Sequence, residues 1–138
     1  MNGNIEICVC TNGPVLLSGS NRLEHKYTIA IADYDKTQRH KTLISCKTTS
    51  KGHGKIYPGE FMVEDFFGLG PSKIQPYNIV RIPISDLSRH KKIGALDKRY
   101  QPFFKTGLQI AIAKRFLNPS EVLRVLDSWS HILPASKI

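Results

Sequence analysis

Hydrophobic positions along the chain change period once, near residue 85. Before that point the apolar residues alternate with polar ones, as strands require. In Ile5–Cys10 (IEICVC), Ile5, Ile7 and Val9 alternate with Glu6, Cys8 and Cys10. A segment punctuated by turn residues follows, with a short strand expected at Val15–Leu17. Tyr27–Tyr34 (YTIAIADY) is rich in β-formers, and a polar turn leads into Lys41–Thr49 (KTLISCKTT). After a glycine-rich loop come EFMVED, the turn FFGLGPS, and Tyr77–Ile84 (YNIVRIPI), which Pro83 ends or places on an edge. The first 85 residues thus predict five or six short strands, enough for a small barrel or a tightly curled sheet.

From Leu96 onward the period is helical. Tyr100, Phe103/Phe104, Leu108, Ala111/Ile112 and Phe116 recur every three to four residues and predict one apolar face. Gln101-Pro102 suits the helix start, because a proline there loses no hydrogen bond. Asn118, Pro119 and Glu121 fit N-cap, N1 and N3 of a second helix, a capping box with Asn in place of Ser or Thr. That helix is expected to run to about His131 and to bury Val122, Leu126, Trp129 and Leu133. Strands first and helices last define an α+β chain.

Composition adds limits. A chain of 138 residues with 41% hydrophobic content is most simply one domain with its own core. No apolar run is long enough for a membrane span. The opening MNGNIEICVC has no basic region ahead of an apolar stretch, so no secretory signal is expected. Cys8, Cys10 and Cys46 lack metal-ligand spacing and read as reduced thiols in a cytoplasmic setting. The net charge of +9 is unevenly placed: residues 36–115 carry sixteen basic and five acidic side chains. Such a segment attracts a polyanion and gains affinity by releasing its counterions. An acidic protein partner is the other reading, and a solvated basic surface the plainer one.

Candidate chemistry gathers at Ser45–Phe61 (SCKTTSKGHGKIYPGEF). The hydroxyls of Thr48, Thr49 and Ser50 can donate to phosphate oxygens, and glycines let backbone amides approach them. Lys47, Lys51 and Lys55 supply charge, His53 can shuttle a proton near neutral pH, and Tyr57 can stack on a base. Taken alone, Thr-Thr-Ser is an ordinary strand end and Gly-His-Gly an ordinary hairpin turn. Ser88–Gly94 (SRHKKIG) reads as an exposed turn, with phosphate contact the second possibility.

These residues carry a resemblance. Glu24–Asp35 (EHKYTIAIADYD), Leu43–Val63 (LISCKTTSKGHGKIYPGEFMV) and Pro71–Ala113 follow the element order of the MazF/PemK-type toxins, the ribonuclease half of a toxin–antitoxin pair. The similarity covers about residues 5–115, most specifically at Cys46–Phe61 and Ile93–Ala113. It implies an SH3-like β-barrel with a packed helix over residues 1–117, and leaves 118–138 as a helical extension of the same domain. It also implies a cytoplasmic homodimer that needs no metal or other cofactor. Such a protein cleaves single-stranded RNA by attack of a 2′-hydroxyl on the neighbouring phosphate, leaving a 2′,3′-cyclic phosphate. The family's threonine falls on Thr48, its arginine position on Lys26, and the histidine found in some members on His25.

Lysine in place of arginine exchanges a planar fork for a point charge, and Tyr27 replaces the family's proline. His25, Glu24 and His53 are candidates for proton transfer, while Lys47, Thr49, Ser50, Lys51, Lys55, Tyr57, Ser72 and Asn78 are candidate RNA contacts. The implied partners are RNA and an antitoxin with an acidic segment. Two alternatives stand beside the nuclease: a catalytically silent binder of nucleic acid or protein on the same fold, and a toxin aimed at a protein target.

Overall fold

The computed structural model describes residues 6–16, 22–32, 42–52 and 54–133. Six strands form one antiparallel sheet: β1 (Val9–Leu16), β2 (Leu23–Ala32), β3 (Thr42–Thr49), β4 (Phe61–Val63), β5 (Ser72–Pro83) and β6 (Lys91–Ala95). The spatial order is β4-β5-β3-β2-β1-β6. Two helices follow, α1 (Phe104–Ala113) and α2 (Pro119–Ser128), and 3₁₀ turns occupy Ile84–Arg89 and Lys98–Phe103. The α+β class therefore stands. Among the described residues β4 and β6 are edges, and no pairing between them closes the sheet into a barrel.

Side-chain alternation gives the sheet two covered faces. On one, Cys10, Ile29, Ile44, Cys46 and Ile74 pack with Phe104, Leu108 and Ala111 of α1 and with Val125 and Trp129 around α2. Trp129 lies 4.9 Å from Phe104, ring centre to ring centre, and its indole N–H donates to the Ile31 carbonyl at 2.6 Å. On the other face, Val15, Ala30, Leu43, Val80 and Ile82 are closed over by Ile84 and Leu87. The core thus runs from Cys8 to Leu133.

Several boundaries differ from expectation. The first strand begins at Val9: of the expected Ile5–Cys10 run, Glu6–Cys8 are not strand, with Cys8 at φ 68°, and Ile5 lies outside the described residues. It then runs through Pro14, whose carbonyl points away from β2 and accepts from His90 Nε2. A proline is tolerated at this position because pairing with β6 stops at Asn12. Ser88–Gly94 is not simply a turn; Lys91–Ala95 pairs with β1, a long-range contact that local pattern does not reveal. Lys98–Phe103 is 3₁₀ with Pro102 inside it, so α1 begins at Phe104 rather than at Gln101-Pro102. The Asn118–Glu121 capping box is present in both directions, as expected. Helix α2 stops at Ser128, short of His131, and buries Val125, while Val122 and Leu126 are only partly covered.

Candidate anion-binding cavity

A cavity of about 390 Å³ opens where β2 and β3 meet the loop before β5. The strands bring His25, Lys26 and Tyr27 alongside Lys47, Thr48 and Thr49, and Ser50 and Lys51 continue the rim. The far wall is Phe66 and the segment Leu69–Ser72. That wall folds back because Phe66 N–H donates to Gly70 O at 2.9 Å and Gly68 N–H to Asp65 Oδ1 at 3.0 Å. Phe66 meets the Tyr27 ring edge to face at 5.9 Å. Three lysines and a histidine line this space. No carboxylate does, among the described residues.

The hydroxyls are mostly occupied. Thr48 is 7% exposed, and its Oγ1 donates to the Tyr27 carbonyl at 3.0 Å. Ser72 Oγ donates to Thr49 O at 3.3 Å, and Thr49 Oγ1 accepts from Lys51 N–H at 3.1 Å. Thr28 pairs directly with Lys47 across the strands. Alternation therefore puts Lys26 on the face of Thr28 and Lys47, and Thr48 on the opposite one. Lys26 and Thr48 reach the same cavity at the sheet end, but from opposite faces. The arrangement can hold an anion by charge, with Thr48 and Ser72 fixing the walls.

The cavity thus gathers His25, Lys26, Lys47, Thr48, Thr49, Ser50, Lys51 and Ser72. It does not gather Glu24, which stands opposite Val15 and pairs with Arg22 at 3.9 Å. Lys55 and Tyr57 lie farther along the loop, outside the lining, and Asn78 donates to Gln75 Oε1 at 3.1 Å. His53 falls outside the described residues. Pattern reading missed Phe66 and Leu69, since FFGLGPS looks like a plain turn until it folds over the strand ends. It also missed a buried pair next to the rim, Lys73 with Glu60. Its only trace is one lysine between Ser72 and Ile74, at an alternating position that ordinarily faces solvent.

Cys8, Cys10 and Cys46 are buried free thiols. Burial pushes Cys8 and Cys10 up to about 12, which removes them as nucleophiles near neutrality. Among the described residues no three His, Cys, Asp or Glu side chains are grouped to hold a metal ion. No helix among them is long and apolar enough to cross a membrane. In comparisons with known proteins, no family model and no curated sequence matches the chain.

Proposed function

We propose that the protein is an RNA-directed toxin of a toxin–antitoxin pair, an endoribonuclease that takes single-stranded RNA into the cavity at the ends of β2 and β3. One observation carries the reading: Lys26, Lys47, Lys51 and His25 converge on a space with no carboxylate in its described lining. Positive charge in a concave site binds phosphate, and the aromatic wall of Tyr27 and Phe66 suits an unstacked base.

In this reading His25, exposed on the rim, takes the proton from the ribose 2′-hydroxyl. The 2′-oxygen attacks the adjacent phosphorus and the bond to the 5′-oxygen breaks. A lysine ammonium at the rim returns a proton to that leaving oxygen. Lys26 and Lys47 offset the charge that builds on the phosphorane. Thr48 acts through the wall, because its proton is already given to Tyr27. Glu24 has no part in the reaction. The open sheet is the frame from which an SH3-like barrel would curl. Cytoplasmic residence, a homodimer and an antitoxin whose acidic segment covers the cavity belong to the same proposal.

A second reading is favoured by a specific observation. His25 leaves the sheet on the face opposite Lys26 and Lys47, so the base and the cations that would cleave are not face to face. A protein that binds RNA and leaves it whole fits that geometry. Incubation with end-labelled single-stranded RNA in EDTA separates the two. Cyclic-phosphate ends that vanish in His25→Ala and Lys26→Ala establish cleavage here. RNA that is retained intact establishes the binder. Absence of any RNA binding at low salt defeats both.

A further inference from the structure

The loop after β3 rests on a buried ion pair that the proposed reaction does not use. The Lys73 ammonium lies 3.1 Å from Glu60 Oε1, with side chains 6% and 1% exposed. It also donates to the carbonyls of Gly52 at 3.1 Å and Lys55 at 3.3 Å. An ammonium has three protons to give, and each has an acceptor here. Glu60 is matched in the same way. Its Oε1 also accepts from the Tyr57 amide at 2.9 Å, and its Oε2 from Gln75 Nε2 at 2.8 Å and the Tyr77 hydroxyl at 2.7 Å. Burial alone would raise the Glu60 pKa, but bonds from Tyr77, the Tyr57 amide, Gln75 and Lys73 outweigh it and bring it to about 2.

A buried pair is a weak source of stability, since desolvation cancels most of the attraction; its better-attested use is to specify one arrangement. The arrangement specified here is that of the loop. Gly52 and Lys55 are tied to the ammonium, and Tyr57 to the carboxylate. Tyr57, like its neighbours Lys55 and Ile56, lies outside: it is 52% exposed, and the ammoniums of Lys55 and Lys73 sit over its ring, 5.0 and 5.7 Å from the centre. A base can stack on an exposed ring of this kind by displacing the Lys55 ammonium from over it toward the base's own phosphate. The same loop delivers Ser50 and Lys51 to the cavity.

We infer that Tyr57 and Lys55 form a second nucleotide subsite, where a base stacks on the ring and its phosphate meets the Lys55 ammonium, and that Glu60 and Lys73 are positioning residues that hold it beside the cavity. The inference rests on the reading of the cavity as an RNA site. Tyr57 lies outside the cavity lining, so the subsite takes a neighbouring nucleotide.

Fluorescence anisotropy with a short labelled single-stranded RNA tests this, alongside the same oligonucleotide with an abasic position moved along it. Tyr57→Leu should weaken binding about 5- to 100-fold and abolish the penalty of the abasic position that matters to wild type. Tyr57→Phe should bind as wild type does. The pair is tested by the double apolar replacement Glu60→Leu/Lys73→Met, which leaves no charge stranded. It should lose affinity without adding to the loss in Tyr57→Leu, because both act through one ring. Tyr57→Leu at wild-type affinity, while Lys47→Ala weakens binding, overturns the subsite and leaves the cavity reading intact. A folded double replacement at wild-type affinity overturns the positioning role. A wild-type protein that binds no RNA at about 50 mM salt overturns the cavity reading, and this inference with it.

Discussion

The Thr48 hydroxyl spends its proton on the main-chain carbonyl of Tyr27, 3.0 Å away on the neighbouring strand. A side chain bonded in this way is a brace between β2 and β3 at the cavity rim, rather than a donor to a ligand. Thr48→Ser keeps the brace and should keep RNA binding at the wild-type level. Thr48→Val keeps the shape but strips a partner from a part-buried carbonyl, at a cost of about 1–3 kcal/mol. Chemical denaturation checks the stability, and RNA titration of the folded variant checks that the loss lies in the wall.

Breaking the pair beneath the loop should be costly from one side only. Lys73→Met strands the Glu60 carboxylate, 1% exposed, and is expected to destabilise the fold by about 3–5 kcal/mol. Replacing both partners by apolar residues should restore much of that loss, which a urea-melt double-mutant cycle reads directly.

The same carboxylate sets an acid limit. Its folded pKa, about 2, lies below the ordinary 4.5, so the unfolded chain binds the proton more readily. The stability it contributes is fully present above pH 4.5 and is lost as pH falls toward 2. Glu60→Gln should flatten the stability profile across that window and change little in its slope above it. Thermal melts at stepped pH test the sign.

At Gly107 two effects oppose each other. Alanine is the better helix former by about 1 kcal/mol. A Cβ there would stand 2.7 Å from the Gly59 carbonyl oxygen and 2.7 Å from Pro76 Cβ, against backbone and ring atoms that cannot swing aside. Crowding of this kind costs about 1–3 kcal/mol, so Gly107→Ala is expected to lower the melting temperature.

Charge in the cavity should show in salt dependence. Lys47→Gln is expected to reduce the slope of log affinity for RNA against log salt by about one, with little change in sequence preference. An unchanged slope would remove Lys47 from phosphate contact.

The strand series, the two helices and the Asn118 cap were legible because each is written locally, in two-residue alternation, in helical spacing, or in Asn-Pro-x-Glu. Strand β6 was not, because Lys91 and Lys92 hide its period and its pairing with Val9–Asn12 joins segments far apart in the chain. The cluster at residues 47–51 was visible as charge and hydroxyls, yet the state of each hydroxyl was not, since Thr48 and Ser72 find their acceptors only once strands pair. Lys73 was the least legible. Nothing in Ser72-Lys73-Ile74 signals that this ammonium is sealed from water, because its three acceptors come from Gly52, Lys55 and Glu60.

The edges of the sheet bear on whether further strands can add to it. Among the described residues the outermost strand on one side is only three residues, Phe61–Val63; on the other it is five residues that begin with two exposed lysines and include Gly94 at φ 159°. Short, charged borders make poor templates for further strands. A basic protein of this build should tolerate being concentrated on a polyanion without seeding fibrils, even where neighbouring copies lie side by side.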